Sequence, residues 1–370
     1  MKFTNALIYD TDSRRFVKGE LCAQNGRITG SSDEAPIDLS GKRVIPGMID
    51  IHTHGHGGFE STAVDFNGMV AMARSYASVG TTSFMVTMMS QPLEILENCI
   101  DTAAAAKRAG IGSILGVYLE GRYISLAKRG AHDPAYIAAP DADEIGSLIK
   151  RAAPAGKFYT ICAPDVSGTR ELVERAKALG AKVAIGHSNA TYEECADCIG
   201  WGADSFTHLY NAMSRLEHRA PGCVGAALSG DTYVELICDG VHVAPAAVKV
   251  AYRAKADKLI LITDSAPAAG LPEGNYTMGG ADVVVRDGAV FLTDGTLTGG
   301  SISLFEAMKN LTKFAGISLE DSIPTATEHP AKLLGVYDDV GSLEVGKRAD
   351  FIVLDENDNI SAVYVGGEKI

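Results

Sequence analysis

One pattern limits this chain more than any other. Eight short apolar runs, rich in β-branched residues, recur through the middle of the sequence: RVIPGMIDIHTH, TTSFMVT, SILGVYLEG, KFYTICAP, KVAIGHS, DSFTHLYN, YVELICDG and KLILITDS. Most are separated by segments of helical periodicity, such as VDFNGMVAMARSYASVG, EILENCIDTAAAAKRAG and GTRELVERAKALG. Runs that are apolar throughout, rather than alternating, belong to strands buried on both faces, as in a parallel sheet. Eight such strand–helix units predict a (β/α)₈ TIM-like barrel in an α/β fold. An open doubly wound sheet is the alternative, and the absence of a GxGxxG turn after the first run disfavours it.

The two chain ends read differently. FTNALIYD and RRFVKGELCAQNGRITG, with Asn25-Gly26 as a hairpin signal, are short strands and turns. The last stretch, GSLEVGKRADFIVLDENDNISAVYVGGEKI, has the same character, with turns at Asp358-Asn359 and Gly366-Gly367. Neither end can bury a core by itself, so residues 1–45 and 340–370 are expected to form one small β-sandwich domain. The catalytic barrel is then expected over 46–339. A strand- and turn-rich segment, EGNYTMGGADVVVRDGAVFLTDGTLTGGS, reads as an insertion before the last barrel helix.

Composition narrows the function. Of 370 residues, 46% are hydrophobic and 21% charged, which excludes disordered and collagen-like chains. A net charge of −13 makes nucleic acid and anionic membranes poor partners, although a local arginine can still hold an anionic small molecule. No basic segment followed by an apolar one opens the sequence, and no apolar run is long enough to span a bilayer. The seven cysteines are odd in number and scattered, which together predicts a reduced, cytoplasmic protein. Cys195 and Cys198 form a lone CxxC inside a helical segment and read as two helical thiols.

The ionisable residues fall at strand ends. His52 and His54 close the first run, Glu120 the third, His187 the fifth and His208 the sixth; His242 follows the seventh, and Asp264 ends the eighth. In a barrel these positions converge on the C-terminal face, where active sites form. Residues i and i+2 of a strand share a side, so His52 and His54 can offer two imidazoles to one cation. Imidazole nitrogen with carboxylate oxygen suits zinc, iron, manganese or cobalt. Glu120 can bridge two ions, with His187 and His208 completing the second, and Asp264 is a further metal-facing carboxylate. Such a centre polarises a carbonyl and generates hydroxide.

The motifs PGMIDIHTHG, the TDS after the eighth run and the tail HPAKLLGVYDDVGSLEVGKRADFIVLD resemble the amidohydrolase superfamily. LEGRYIS with KRGAH, IGHSNATYEE, THLYNAM, HRAPG, CDGVHV, ITDSAPAAG and GTLTGGSISL resemble, more finely, its family of N-acetylglucosamine-6-phosphate deacetylases. The resemblance spans essentially the whole chain. It implies one divalent metal on Glu120, His187 and His208, and a second on His52 and His54. It further implies Asp264 as general base and acid, and His242 as the group that polarises the substrate carbonyl. His132, Asn211 and Ala212 are implied to contact the sugar or phosphate, and Arg219 the phosphate of a phosphorylated amino sugar. A homodimer is implied as well. Another amidohydrolase, such as a cyclic-amide hydrolase or a deaminase, shares the metal ligands and differs in its pocket. A scaffold without chemistry is expected to have lost ligands, and here none is missing.

One departure stands out. The family usually has Pro after the EG of LEG, where this chain has Arg122. Solvent or a surface ion pair is the expected destination of its side chain, with the substrate phosphate as the alternative. His56 is expected to be a loop residue, His329 to pack near the last helix and Trp201 to pack. His218 is undecided between phosphate and solvent. Gly57-Gly58 and Gly299-Gly300 read as backbone turns, since no Walker lysine follows them.

Overall fold

The structure, a computed structural model, describes residues 1–278 and 281–370. Its centre is a parallel sheet of eight strands: β1 (Met48–Asp50), β2 (Thr81–Met88), β3 (Ile114–Leu119), β4 (Lys157–Cys162), β5 (Lys182–Ile185), β6 (Ser205–Phe206), β7 (Tyr233–Ile237) and β8 (Leu259–Ile262). Neighbours follow sequence order from β1 to β8. Beyond the last strand, Asp264 N donates to His52 O at 2.9 Å and His54 N to Ser265 O at 3.0 Å, which joins the two ends of the sheet. This is the barrel that the eight apolar runs predict. Its bore is packed by Ile49, Met85, Tyr118, Tyr159, Ile161, Ile237, Ile260 and Ile262. Leu333 and Leu334 of the helix Glu328–Leu334 join the same cluster. A second, larger cluster lies between strands and helices, so both faces of the sheet are buried.

The first run divides. Arg43–Pro46 belongs to a different sheet, and β1 begins after Gly47. A Cβ at Gly47 would lie 2.1 Å from Thr82 Oγ1, so the crossing between the two sheets passes where only glycine fits.

Both chain ends enter that other sheet, which has eight strands. Phe351–Leu354 pairs antiparallel with Arg43–Pro46 on one side and with Ile360–Val365 on the other. Lys2–Asp10 pairs with Arg43–Pro46 and with Arg15–Gln24. Phe3 lies three strands from Tyr364 in this order, yet their rings sit 5.2 Å apart. At roughly 4.8 Å per strand a flat sheet would hold them far apart. The sheet therefore curls over its own core of Phe3, Leu21, Ile28, Val44 and Phe351, in sandwich fashion.

The segment after β8 forms a four-stranded antiparallel sheet: Gly274–Met278, Ala281–Arg286, Ala289–Leu292 and Leu297–Gly300. It precedes the helix Leu304–Ala315, whose start is fixed by a capping box between Ser303 and Glu306. Among the described residues no helix is long and apolar enough to cross a membrane.

Candidate metal centre and active site

The residues expected at strand ends do gather at one end of the barrel. β1 stops at Asp50, so His52 and His54 sit in the turns just beyond it, and Glu120 directly follows β3. His187, His208 and Asp264 each lie two residues past their strands, with φ of +44°, +26° and +46°. Left-handed backbone costs a non-glycine residue about 1–3 kcal/mol, and it recurs where a side chain must be re-aimed. At Asp264 the last strand of the inserted sheet holds it. Gly300 N donates to Asp264 O at 2.9 Å, and Ala266 N donates to Gly300 O at 3.1 Å. A Cβ at Gly300 would lie 2.4 Å from Thr263 O, so this contact requires glycine.

Glu120 is the junction. Its Oε1 lies 3.1 Å from Nε2 of both His187 and His208, and 3.5 Å from His52 Nε2. Its Oε2 lies 3.0 Å from His54 Nε2. Asp264 Oδ1 closes the group at 3.2 Å from His54 Nε2 and 3.5 Å from His52 Nε2. Two triads can each hold a cation, His52–His54–Glu120 and Glu120–His187–His208, with ligand atoms all within 4.8 Å of one another. Nε2 of His187 and of His208 face each other at 3.0 Å, and His52 Nε2 is buried without a hydrogen-bond partner among the described residues. Nitrogens turned on one another and on a shared carboxylate are a donor set that fits a divalent ion.

The electrostatics agree. Burial opposes ionisation of Glu120, but His52, His132, His187 and His208 overcome it and hold the carboxyl well below its usual range. Burial likewise opposes ionisation of Asp264, and His52 and His54 again prevail. For His54, burial disfavours the charged ring, while the hydrogen bonds and charges of Asp264 and Glu120 lift it to about 9. Protons held this way occupy the positions a cation takes, and binding one releases them.

A cavity of ≈ 780 Å³ opens over this cluster, within the range of small-molecule sites. His54, Glu120, His187, His208, His242 and Asp264 line it, as do His132, Asn211 and Ala212. Val283, Val290, Leu292 and Leu297 of the inserted sheet form an apolar wall. Asp239 Oδ2 accepts from His242 Nδ1 at 2.5 Å, which leaves Nε2 for the cavity. His132 Nδ1 accepts from Ser90 N at 3.2 Å, so its proton sits on Nε2, 3.6 Å from Glu120 Oε2.

Other candidates lie elsewhere. Arg219 and His218 are exposed on the turn before the helix Gly222–Ser229, and neither lines the cavity. Among the described lining residues there is no lysine or arginine. His56 is buried in the hairpin Gly55–His56/Phe59–Glu60 and bonds Ser75 Oγ at 2.7 Å. His329 donates Nδ1–H to Leu259 O at 2.7 Å, and Trp201 packs against the core. Cys195 and Cys198 do not face each other: their sulfurs lie 3.5 Å from Cys223 and 3.7 Å from Cys162. Arg122 makes an ion pair, Nε to Glu144 Oε1 at 3.1 Å, and donates Nη1–H to Gln91 O at 3.0 Å. Its φ of +59° is closed to proline, and its backbone N–H donates to Ser90 Oγ at 2.8 Å.

Sequence reasoning missed two carboxylates. Asp239 lies in the CDGVH motif and holds His242. Glu235 is wholly buried in β7, bonds His52 Nδ1 at 3.0 Å, and is the one charged residue inside the run YVELI.

A barrel with imidazoles and carboxylates converging at one rim defines a class of metal-dependent hydrolases, and the chain belongs to the amidohydrolase family, whose signature matches residues 43–370. Within it, the chain is 35% identical to N-acetylglucosamine-6-phosphate deacetylase of Bacillus subtilis, over 93% of this chain and 90% of that protein. It is 34% identical to N-acetylgalactosamine-6-phosphate deacetylase of Escherichia coli O157:H7, over 88% of this chain and 87% of that one. The crystal structure of N-acetylglucosamine-6-phosphate deacetylase from Pasteurella multocida superposes with a TM-score of 0.93 at 31% identity, covering 100% of this chain and 99% of that one.

Proposed function

We propose that this chain is a metal-dependent amide hydrolase that removes the acetyl group from N-acetylglucosamine 6-phosphate, giving glucosamine 6-phosphate and acetate. The observation that carries the reading is the junction at Glu120: one carboxylate meets four imidazoles at 3.0–3.5 Å, with Asp264 beside it, on a cavity the size of a small molecule. The sugar phosphate in the names of the relatives supplies the substrate class.

Glu120, His187 and His208 would hold one divalent ion, and His52 and His54, sharing Glu120, a second; zinc, iron, manganese and cobalt all suit these donors. When bound, the metal supplies Lewis acidity, lowering the pKa of water at the site and polarising a carbonyl. Asp264 projects into the cavity beside His54 and takes a proton from the attacking water. It returns that proton to the sugar nitrogen as the C–N bond breaks, so its charge is restored at the end of the cycle. His242, as an imidazolium paired through Nδ1 with Asp239, donates Nε2–H to the acetyl oxygen, where negative charge develops. Asn211, Ala212 and His132 line the wall that faces the sugar. Among the described lining residues no lysine or arginine faces a phosphate; Arg219 is the residue assigned to it, and the protein is read as a homodimer working in the cytoplasm.

Acetate release from N-acetylglucosamine 6-phosphate, from its galactosamine epimer and from unphosphorylated N-acetylglucosamine tests the reading. Release from the phosphorylated glucosamine compound, abolished by a chelator and restored by metal, is the expected result. Release from none of them by metal-loaded protein would move the substrate to another class. Arg219→Ala should raise KM for the phosphorylated sugar about tenfold, the loss of one charge-assisted contact, and leave unphosphorylated sugar unaffected. Equal effects on both would remove Arg219 from the phosphate.

A further inference from the structure

We infer that Glu235 is a positioning residue for the metal centre: by holding the Nδ1 proton of His52 it commits Nε2 of that ring to an ion, and so decides whether the His52–His54 half of the site is filled. The inference rests on the metal-dependent reading above.

Glu235 sits in the middle of β7 between Val234 and Leu236, with none of its surface exposed. It shares a strand face with Ile237, which packs in the bore, so its carboxylate also lies inside the barrel. Each oxygen is engaged. Oε1 accepts from Tyr159 OH at 2.6 Å; Oε2 accepts from Thr207 Oγ1 at 2.7 Å and from His52 Nδ1 at 3.0 Å. Thr207 Oγ1 in turn accepts from Tyr118 OH at 2.9 Å. Among the described residues no lysine or arginine pairs with Glu235; its one ion-pair partner is His52. Burying a carboxylate with so little compensation is costly, and a barrel interior built for packing alone would carry an apolar side chain there.

The geometry shows what it does. Both oxygens of Glu235 accept, and Thr207 Oγ1, 3.1 Å from Nδ1, gives its own proton to Oε2, so the ring nitrogen facing them is the donor and carries a proton. The proton on Nδ1 leaves Nε2 to the cluster, and Nε2 is buried, lacks a hydrogen-bond partner among the described residues, and lies 3.5 Å from Glu120 and Asp264. The other half of the centre is oriented differently. His187 Nδ1 donates to a backbone carbonyl, Lys128 O, at 2.8 Å. A carboxylate behind an imidazole makes it a stronger ligand than a carbonyl does. Charge points the same way. Two divalent ions bring four positive charges against the two negative ones of Glu120 and Asp264, and Glu235 adds a third negative charge behind the ring.

The test counts ions rather than turnover. Metal-stripped protein is titrated with Zn²⁺ against a chromophoric chelator, for wild type, Glu235→Gln, Glu235→Asp, His52→Asn and the Glu235→Gln/His52→Asn double variant. Wild type should bind two ions. Glu235→Gln should weaken one of them roughly 10–100-fold and spare the other, with Glu235→Asp recovering part of the loss. In the His52→Asn background, Glu235→Gln should change nothing, because its effect passes through that ring. Two ions bound equally well by wild type and Glu235→Gln would overturn the inference while leaving the metal-dependent reading standing. Additive losses in the double variant would also overturn it. A wild type that binds one ion, indifferent to His52→Asn, would overturn both the inference and the two-ion assignment. Should Glu235→Gln not fold, ¹H–¹⁵N correlation spectra of the histidines in zinc-loaded wild type decide. The Nδ1–H tautomer at His52 is expected there, and the Nε2–H tautomer overturns the inference.

Discussion

His54 and His56 stand two residues apart in one loop, both largely buried, and they titrate in opposite directions. Burial disfavours the charged ring at each. At His54 the carboxylates of Asp264 and Glu120 reverse that effect and lift the ring to about 9. At His56, in the hairpin packed beside the barrel rim, Ser75 is the neighbour, no carboxylate comes within ion-pairing distance among the described residues, and burial prevails, lowering it to about 4. His132 falls between them: it lies 3.6 Å from Glu120, yet burial still lowers it. Depth alone therefore does not make a histidine functional. Two acids at the centre of the rim divide the loop into a histidine that faces the candidate metal site and one that packs.

The largest effect should come from removing one of those acids. Asp264→Asn keeps the shape of the side chain and loses the carboxylate proposed as the base, so kcat should fall about 10³-fold while metal content, read by elemental analysis, stays near wild type. Wild-type turnover in that variant would break the contrast, since the acid would then be no more than a neighbour of His54.

The contrast sharpens with pH. For His56 the folded value lies below the unfolded 6.5, so the unfolded chain binds more protons. Its contribution is complete above 6.5 and is lost as pH falls toward 4, about 3 kcal/mol in all. For His54 in metal-free protein the sign is opposite: its contribution is complete below 6.5 and is lost as pH rises through about 9. Urea unfolding of metal-free protein across this range should show that His56→Asn flattens the acid limb and spares the alkaline one. A variant whose acid limb matches wild type would mean that His56 is not held neutral by burial.

A smaller effect concerns His132, which is tied through Ser90 to Arg122. Arg122→Pro restores the residue usual in the family but cannot adopt φ of +59° or donate to Ser90 Oγ, and should cost about 2 kcal/mol. Arg122→Gly keeps the backbone and loses the Glu144 pair, for about 1 kcal/mol. Thermal denaturation of the two side by side separates backbone from ion pair, and equal losses would put the whole effect in the side chain.

What could be read from the sequence followed from contrast. A polar residue closing an apolar run is visible because it interrupts a pattern, and so Glu120, His187, His208 and Asp264 could be placed at the rim before any coordinates. Glu235 escaped because it lies within its run, flanked by Val234 and Leu236, and a single acid there reads as part of the strand. Residues 43–54 read as one strand because nothing local shows that Gly47 passes between two sheets. That Arg219 does not reach the cavity also lay beyond the sequence, because the motif fixes its identity and not the direction of an exposed turn.

The curled sheet has a consequence for how the chain is made. Phe351–Leu354 lies between Arg43–Pro46 and Ile360–Val365, so the sheet begun by the first strands waits for the last ones. The barrel strands, all formed before residue 263, are available much earlier. During synthesis the barrel can therefore assemble while the first forty-odd residues lack the three C-terminal strands of their eight-stranded sheet. Phe3 and Val44 lack the cover of Phe351, Val353 and Tyr364 until the C-terminal strands leave the ribosome. A nascent chain stalled before Phe351 should be captured by chaperones at its N-terminus rather than at its barrel.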